Sequence, residues 1–319
     1  MKIGSIVYAT EQGLGYLAHS FYDHGVVDEV IVAIHSSRQT MPWYPGSEHI
    51  PIRSIASNRL VKEFCREMDL MLFFETPFDW SLIEFCKSVG VKTALMPMFE
   101  CMPKSHPKAD ITLCPSLLDK QYYPDGVFIP VPVDFTWKER STALTFVHNA
   151  GHGGLKGRNG TVELLAAMTY VKSPLKLVVR SQSKELSSPD PRIIFEGRVP
   201  QSDLYAAGDV FVFPEKFNGL SLPLQEAYAS GMLVMATRRF PMDTWLPDEP
   251  LIHPFGYRMQ EISGRCLPFQ EAIVEPTEIA RTMDAWYGKD ITEFSRKGRE
   301  WAKQNSWNAL RSKYLEVLQ

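Results

Sequence analysis

The sequence predicts an α/β protein built from two doubly wound parallel-sheet domains. Short runs rich in Val, Ile and Phe alternate with amphipathic segments, the rhythm of βαβ units whose strands are buried on both faces. That rhythm breaks once, at the proline-containing Val127-Phe128-Ile129-Pro130-Val131-Pro132-Val133-Asp134, and then restarts. A length of 319 residues suits two domains at roughly 100–200 residues each.

In the first domain, placed at 1–135, residues 3–8 read as a strand, too short for a signal peptide. Gln12-Gly13-Leu14-Gly15 is a turn, and 16–24 a helix stopped near Gly25. Residues 29–34 form a second strand. Residues 40–54, with Pro42, Pro45, Gly46 and Pro51, read as a loop. Strands at 70–74 and 92–96 flank a helix at about 79–89, and a strand at 111–114 precedes a short helix. A linker is expected at about 132–142. In the second domain, 142–319, residues 144–148 are a strand, 151–160 a glycine-rich loop and 161–171 a helix. Strands follow at 175–180, 193–196, 209–213 and 232–236. Ser202 is expected to cap a helix running through Ala207, and 222–230 is a helix. Helices dominate from Glu275, with the last ones able to pack back on the first domain. Tandem sheets of this kind place a ligand cleft at the carboxyl ends of their strands.

The composition, 45% hydrophobic and 12% aromatic, excludes a solvated coil. Residues 1–135 hold 11 Lys and Arg against 16 Asp and Glu, and the remainder 23 against 21. This balance advertises no polyanion partner, although a local basic groove fits within a neutral total. The five cysteines, Cys65, Cys86, Cys101, Cys114 and Cys266, are odd in number, with no Cys-x-x-Cys pair and no zinc spacing. Reduced thiols and a cytoplasmic location are expected. No stretch reaches the roughly 18–20 apolar residues of a membrane span, so no membrane insertion is expected.

Three segments carry candidate chemistry. His148-Asn149-Ala150-Gly151-His152-Gly153-Gly154-Leu155-Lys156-Gly157-Arg158-Asn159-Gly160 joins a strand to a helix. Glycines there let backbone N–H groups approach an anion, and Lys156 and Arg158 can neutralise a diphosphate. The segment is neither a Walker A loop nor a Gly-x-Gly-x-x-Gly, and it also fits a solvated loop. Gly13-Leu14-Gly15 repeats the arrangement after the first strand and equally fits a tight turn. The third, Pro214-Glu215-Lys216-Phe217-Asn218-Gly219-Leu220-Ser221-Leu222-Pro223-Leu224-Gln225-Glu226-Ala227, leads from a buried strand into a helix carrying Glu226. A carboxylate there can accept both hydroxyls of a ribose, or serve as a helix acid favoured by the dipole.

From about Thr145 to Trp245 the chain resembles the donor-binding domain of retaining glycosyltransferases of family 4, which have the GT-B architecture of two Rossmann-like domains. The resemblance rests on Lys156-Gly157, Phe195-Glu196-Gly197-Arg198-Val199-Pro200, the run from Asp203 to Pro214, and Gly219-Leu220-Ser221-Leu222-Pro223-Leu224-Gln225-Glu226-Ala227, in the family's order. It implies that Glu226 holds the donor ribose and Lys156 the diphosphate. Gly153 and the backbone of Gly219, Leu220, Ser221 and Leu222 would join them, with Gly13 and Gly15 closing on the phosphates. Two departures stand out. The family's Glu-x7-Glu has Asn218 in the first place, where the sugar's hydroxyls are contacted, and Glu215 lies nearby out of register. The family's arginine before the phosphate lysine is Gly151 here, leaving Arg158 or Arg180 to substitute.

The expected activity is transfer of a hexose from a nucleotide diphosphate sugar, a UDP-sugar favoured, with retention of configuration. Glu75 and Glu100, at strand ends, are candidates to orient or deprotonate the acceptor hydroxyl, and each also fits a loop anchor. With no Asp-x-Asp and no His/Cys cluster, no metal or other cofactor is expected. Leaving-group charge then falls to the cations and backbone N–H groups. The run from Phe146 to Thr161 also resembles bacteriophage glycosyltransferase-like proteins, some of which glucosylate hydroxymethylated bases in DNA. For that acceptor the candidate contacts are Arg238, Arg239, Arg296, Lys297, Arg299 and Lys303, with Trp43 and Tyr44 to stack. A cell-surface or lipid-linked acceptor, a sugar-nucleotide epimerase and a non-catalytic sugar-nucleotide binder remain as alternatives.

Overall fold

The computed structural model describes residues 1–151, 157–182, 186–261, 263–264 and 266–319. The chain forms two compact units. The first is Met1–Pro132 with Glu261–Leu267 and Trp307–Gln319, and the second is Val133–Gln260 with Pro268–Ser306.

The first unit holds seven strands: β1 (Ile3–Val7), β2 (Glu29–Ile34), β3 (His49–Pro51), β4 (Leu70–Glu75), β5 (Lys92–Pro97), β6 (Ile111–Cys114) and β7 (Val127–Phe128). All pair in parallel, in the order 3-2-1-4-5-6-7. β1 and β4 are apolar along their length because both faces are covered. On one face, Ile6, Ile31, Phe73 and Leu95 pack with Val61 and Cys65 of α2 (Arg59–Arg66) and Leu82 and Cys86 of α3 (Ser81–Ser88). Elsewhere in the unit, Phe21 of α1 (Gly13–Asp23) meets Trp307 and Tyr314 of α9 (Trp307–Leu318) edge to face, at 4.9 Å each. Arg311 of α9 donates to the His24 carbonyl at 2.6 Å. A short helix, α4 (Leu117–Tyr122), follows β6.

The second unit holds β8 (Thr145–Gly151), β9 (Lys176–Ser181), β10 (Ile193–Glu196), β11 (Val210–Phe213) and β12 (Leu233–Ala236), parallel in the order 10-9-8-11-12. Its helices include α5 (Thr161–Ala167), α6 (Leu222–Ala229), α7 (Pro276–Trp286) and α8 (Thr292–Gln304). Phe146, Val212 and Leu233 pack with Leu164 of α5 and Ile279 and Met283 of α7. Buried Arg140 staples the irregular segment before β8 to the domain. It donates to the carbonyls of Lys138, Tyr205, Gly208 and Ser230, leaving little of its donor capacity unused.

The two doubly wound parallel sheets expected from the sequence are present. The details differ in several places: Gly13–Gly15, expected as a turn, opens α1, and α2 and β7 were not expected. The expected loop at 40–54 contains β3, a three-residue edge strand in which only Ile50 is buried, too short to leave a period. The helix expected from Ser202 through Ala207 is a 3-10 turn, Gln201–Asp203. Beyond it, the carbonyls of Leu204 and Tyr205 accept from Arg180 and Arg140 instead of from later backbone N–H groups. An antiparallel hairpin, β13 (Gly256–Gln260) with β14 (Phe269–Ile273), went unread because Tyr257, Met259 and Ile273 are exposed and give no alternation.

Candidate active site

In the second sheet the strand order reverses between β8 and β11, and the carboxyl ends of such strands are where open α/β sheets bind ligands. The segment after β11 is held there by buried polar contacts. Glu215 is fully buried and accepts from Arg239, itself 4% exposed, and from the Ser221 hydroxyl at 2.8 Å. Arg239 also donates to the Asn218 carbonyl at 2.8 Å. The Asn218 side-chain oxygen accepts the backbone N–H of Leu220 at 3.2 Å and of Ser221 at 2.9 Å. The Gln225 amide donates to the Leu220 carbonyl at 2.5 Å.

Ser221 has φ 47°, a left-handed conformation costly for a residue with a side chain. Its N–H and its hydroxyl are both tied down, so the surroundings over-determine the strain. The Ser221 hydroxyl therefore serves Glu215 and caps nothing in α6. Pro223 starts the helix with a residue that lacks an N–H.

Glu226 sits one turn into α6 and is partly buried. Tyr205, 2% exposed, donates its hydroxyl to Glu226 Oε2 at 2.8 Å, and the Asn149 side chain reaches the same hydroxyl from β8. Burial pushes the Glu226 carboxyl up to about 7, against the lesser opposing effect of the Tyr205 hydrogen bond. Burial, with the Glu226 charge beside it, raises Tyr205 well above the usual phenol range. Asn149 Oδ1 is buried without a hydrogen-bond partner, an acceptor facing this pair that the protein itself does not satisfy.

The start of α5 is fixed by close packing. Gly160 has φ 69°, and a Cβ there would lie 2.1 Å from the Pro214 carbonyl oxygen. Buried His148 links the strands to this helix. Its Nδ1 donates to the Val212 carbonyl at 2.8 Å, which leaves Nε2 to accept from the Thr161 hydroxyl at 2.8 Å. Burial lowers the imidazole to about 4. Lys216 pairs with Glu163 of α5 at 2.6 Å.

Of the other expected donor contacts, Gly153 and Lys156 lie outside the described residues. Arg158 is in place beside this segment, its carbonyl accepting the Lys216 N–H at 2.7 Å. Arg180 is 6% exposed and donates to Glu196 at 2.8 Å and to the Leu204 carbonyl. Gly219, Leu220, Ser221 and Leu222 form the turn into α6, braced as described.

In the first unit, Gly13 is the exposed first residue of α1. Gly15 lets that helix approach the preceding turn, since a Cβ there would lie 2.0 Å from the Thr10 carbonyl oxygen. Strand order reverses between β1 and β4, and their carboxyl ends open into a recess of about 70 Å³ whose lining includes Tyr8, Leu14, Phe74, Glu75 and Phe78. Glu75 has φ 61° and accepts from the Cys101 thiol at 3.3 Å. Glu100 is 3% exposed and lies near buried Asp119, which burial, with a smaller contribution from the Glu100 charge, pushes up to about 7.

The residues named for a nucleic-acid contact have partners within their own units. Arg296 pairs with Glu139, Lys297 with Glu293, Lys303 with Glu300 and Arg238 with Asp248. Arg299 lies over Trp137 at 4.5 Å, and Arg239 is buried on Glu215. Trp43 stacks on His19 at 4.8 Å, and Tyr44 packs edge-on to His19 and Tyr22. Among the described residues no group of three or more His, Cys, Asp or Glu side chains is arranged to hold a metal ion, and no helix is long and apolar enough to cross a membrane.

Sequence reading passed over Tyr205, Asn149, His148 and the Glu215–Arg239 pair. Tyr205 stands inside the run quoted for the resemblance, and Asn149 and His148 inside the glycine-rich one. The ion pair joins residues 24 apart in sequence and left no local signal.

Residues 152–244, all in the second unit, match the family model described as glycosyl transferases group 1. No curated protein sequence matches. Among solved structures, the Anabaena HepE protein in complex with UDP and glucose aligns with TM-score 0.72 at 11% identity, covering 100% of this chain and 99% of that one. A glycosyltransferase from Rickettsia africae aligns with TM-score 0.66 at 13% identity, over 100% and 98% of the two chains. Sucrose-phosphate synthase from Thermosynechococcus elongatus aligns with TM-score 0.64 at 14% identity, over 99% and 98%. The fold class is GT-B. The match of 152–244 coincides with the segments that form the turn into α6, Tyr205 and Glu226.

Proposed function

We propose that this chain is a glycosyltransferase that moves a hexose from a nucleotide diphosphate sugar, a UDP-sugar, to an acceptor hydroxyl with retention of configuration. The carrying observation is the Tyr205–Glu226 pair one turn inside α6, beside the braced turn at residues 218–221. In this reading Glu226 accepts the ribose hydroxyls and Asn149 Oδ1 takes one further donor from the ligand. The backbone N–H groups of Gly219 and Leu222, which Asn218 does not occupy, meet the charge that grows on the leaving diphosphate. Lys156 and Arg158 are assigned to the diphosphate, and Gly13 and Gly15 to phosphate, on the resemblance. Asn218 holds the turn through its side-chain oxygen, so its part in recognising the sugar is indirect. HepE, solved with UDP-glucose, and the family match at 152–244 support the donor class. Transfer uses no metal here, the leaving charge being assigned to cations and N–H groups.

A DNA acceptor draws no support from the cations named for it, of which five are ion-paired and Arg299 lies over Trp137. The test is titration calorimetry of UDP-, GDP- and dTDP-glucose. UDP-glucose is expected to bind best, and Glu226→Ala to weaken it by at least about tenfold, the loss of a pair of hydrogen bonds to a charged group. Unchanged affinity in that variant would remove Glu226 from the site, and absence of binding by every nucleotide sugar would remove the transferase reading.

A further inference from the structure

The two carboxyl oxygens of Glu226 have different surroundings. Oε2 accepts the Tyr205 hydroxyl at 2.8 Å. Oε1 accepts from none of the described residues. The Tyr205 ring is fixed on several sides. It meets Phe135 edge to face at 5.3 Å and Phe211 at 5.5 Å, and its backbone carbonyl is taken by Arg140. Asn149 reaches its hydroxyl through the amide nitrogen, since Asn149 Oδ1 has no partner. Hydrogen bonds therefore run one way, from Asn149 to Tyr205 to Oε2. Burial keeps the Tyr205 hydroxyl protonated, so it stays a donor around neutrality. A proton that joins Glu226 is thus directed to Oε1, the oxygen left for a ligand, and turns an acceptor into a donor.

Few charges bear on this carboxyl. α6 carries no second charged residue, and β11 and β12 carry none. α8 packs on α6 where Gly298 and Trp301 meet Tyr228. Its charges are engaged elsewhere: Arg296 with Glu139, Lys297 with Glu293, Lys303 with Glu300, and Arg299 over Trp137. Arg180 of β9 acts on Tyr205 and is paired with Glu196, and Arg140 is spent on carbonyls. Burial accordingly governs Glu226, placing its ionisation at about 7, and the Tyr205 hydrogen bond opposes it.

We propose that Tyr205 is a positioning residue for Glu226, and that nucleotide-sugar binding is gated by the proton on that carboxyl. With Glu226 ionised, Oε1 accepts the ribose hydroxyls. With a proton on Oε1, the same hydroxyls meet a donor, and binding requires the proton to leave. The inference rests on the transferase reading and adds its regulation by pH.

The measurement is titration calorimetry of UDP-glucose on the full chain from about pH 6 to about pH 8.5, in buffers of different ionisation enthalpy so that released protons are counted. UDP-glucose is chosen over UDP because it has no terminal phosphate to ionise near neutrality. Wild-type affinity is expected to fall as pH drops below about 7, approaching about tenfold per pH unit, with about half a proton released on binding at about pH 7. Tyr205→Phe keeps the ring and removes the opposing hydrogen bond, so its fall should begin near about pH 8. Its affinity should be roughly fivefold below wild type at about pH 7 and converge on wild type at higher pH. Glu226→Gln should bind weakly, without pH dependence and without proton release. A flat wild-type profile, or a Tyr205→Phe loss equal at every pH, would overturn the inference and leave the transferase reading standing. A wild type that binds no nucleotide sugar at any pH would overturn both.

Discussion

The two sheets end in opposite ways. After β11 the second unit spends buried polar groups on rigidity: Glu215, Arg239, Asn218, Ser221 and Gln225 hold one turn by hydrogen bonds that reach backbone and side chain alike. After β1 and β4 the first unit offers an apolar recess with one strained carboxylate, which accepts from the Cys101 thiol. The first arrangement fixes a backbone conformation, and the second sets a carboxylate beside an apolar wall. What the ends share is a glycine at the helix start pressed against a carbonyl oxygen, Gly15 on Thr10 and Gly160 on Pro214.

The comparison can be broken most severely at the ion pair. Arg239→Met leaves Glu215 buried without its cation, and we expect a loss of about 3–5 kcal/mol from the second unit, read by urea denaturation. A much smaller loss would mean that the turn is not held by this pair. Next comes acid. His148 is held near 4 when folded against an ordinary 6.5. The neutral form is favoured on folding, so its contribution is full above about 6.5, declines as pH falls toward 4 and is gone below. The amount is on the order of 3 kcal/mol. Glu226 and Asp119, raised to about 7, run the other way and add stability as pH falls through 7. The His148 share is therefore taken as the difference between wild type and His148→Gln at pH 7 and pH 4.5.

The glycines sharpen the comparison. Gly160→Ala meets both a clash and a left-handed backbone, and should cost about 2–3 kcal/mol. Gly15→Ala, a clash in helical geometry, should cost about 1–2 kcal/mol. Thermal melts that rank them in reverse would show that the first unit's helix cannot shift where the second unit's can. The smallest effect has the opposite sign. Glu75→Gly relieves the positive φ, and the first unit should gain up to about 1 kcal/mol. A destabilised variant would mean that Glu75 is held for packing.

Much of the fold was legible because buried parallel strands carry mostly apolar runs: β1, β4, β5, β8, β9 and β11 announce themselves. What escaped was short or exposed. β3 buries one side chain, and the hairpin β13–β14 shows Tyr257 and Met259 to solvent. At the site, Glu226 and the turn at 219–222 were legible through their order along the chain. Arg239 was read as a surface cation beside Arg238, because sequence cannot tell which of two adjacent arginines is turned inward. Glu215 was read as out of register, and its burial under that arginine is a long-range fact.

By itself the sequence determined the class of fold, two parallel sheets wound on both sides, because strand burial and helix amphipathicity are written locally in the order of residues. It also determined where the glycines fall at the two helix starts. The tertiary structure decided which polar groups became load carriers and which stayed at the surface. It paired Glu215 with Arg239, turned Tyr205 onto Glu226, and set a strained Glu75 at the rim of an apolar recess. Those choices depend on the partners that packing brings within about 3 Å, and hydrogen bonds and charges at that range leave no period in the chain.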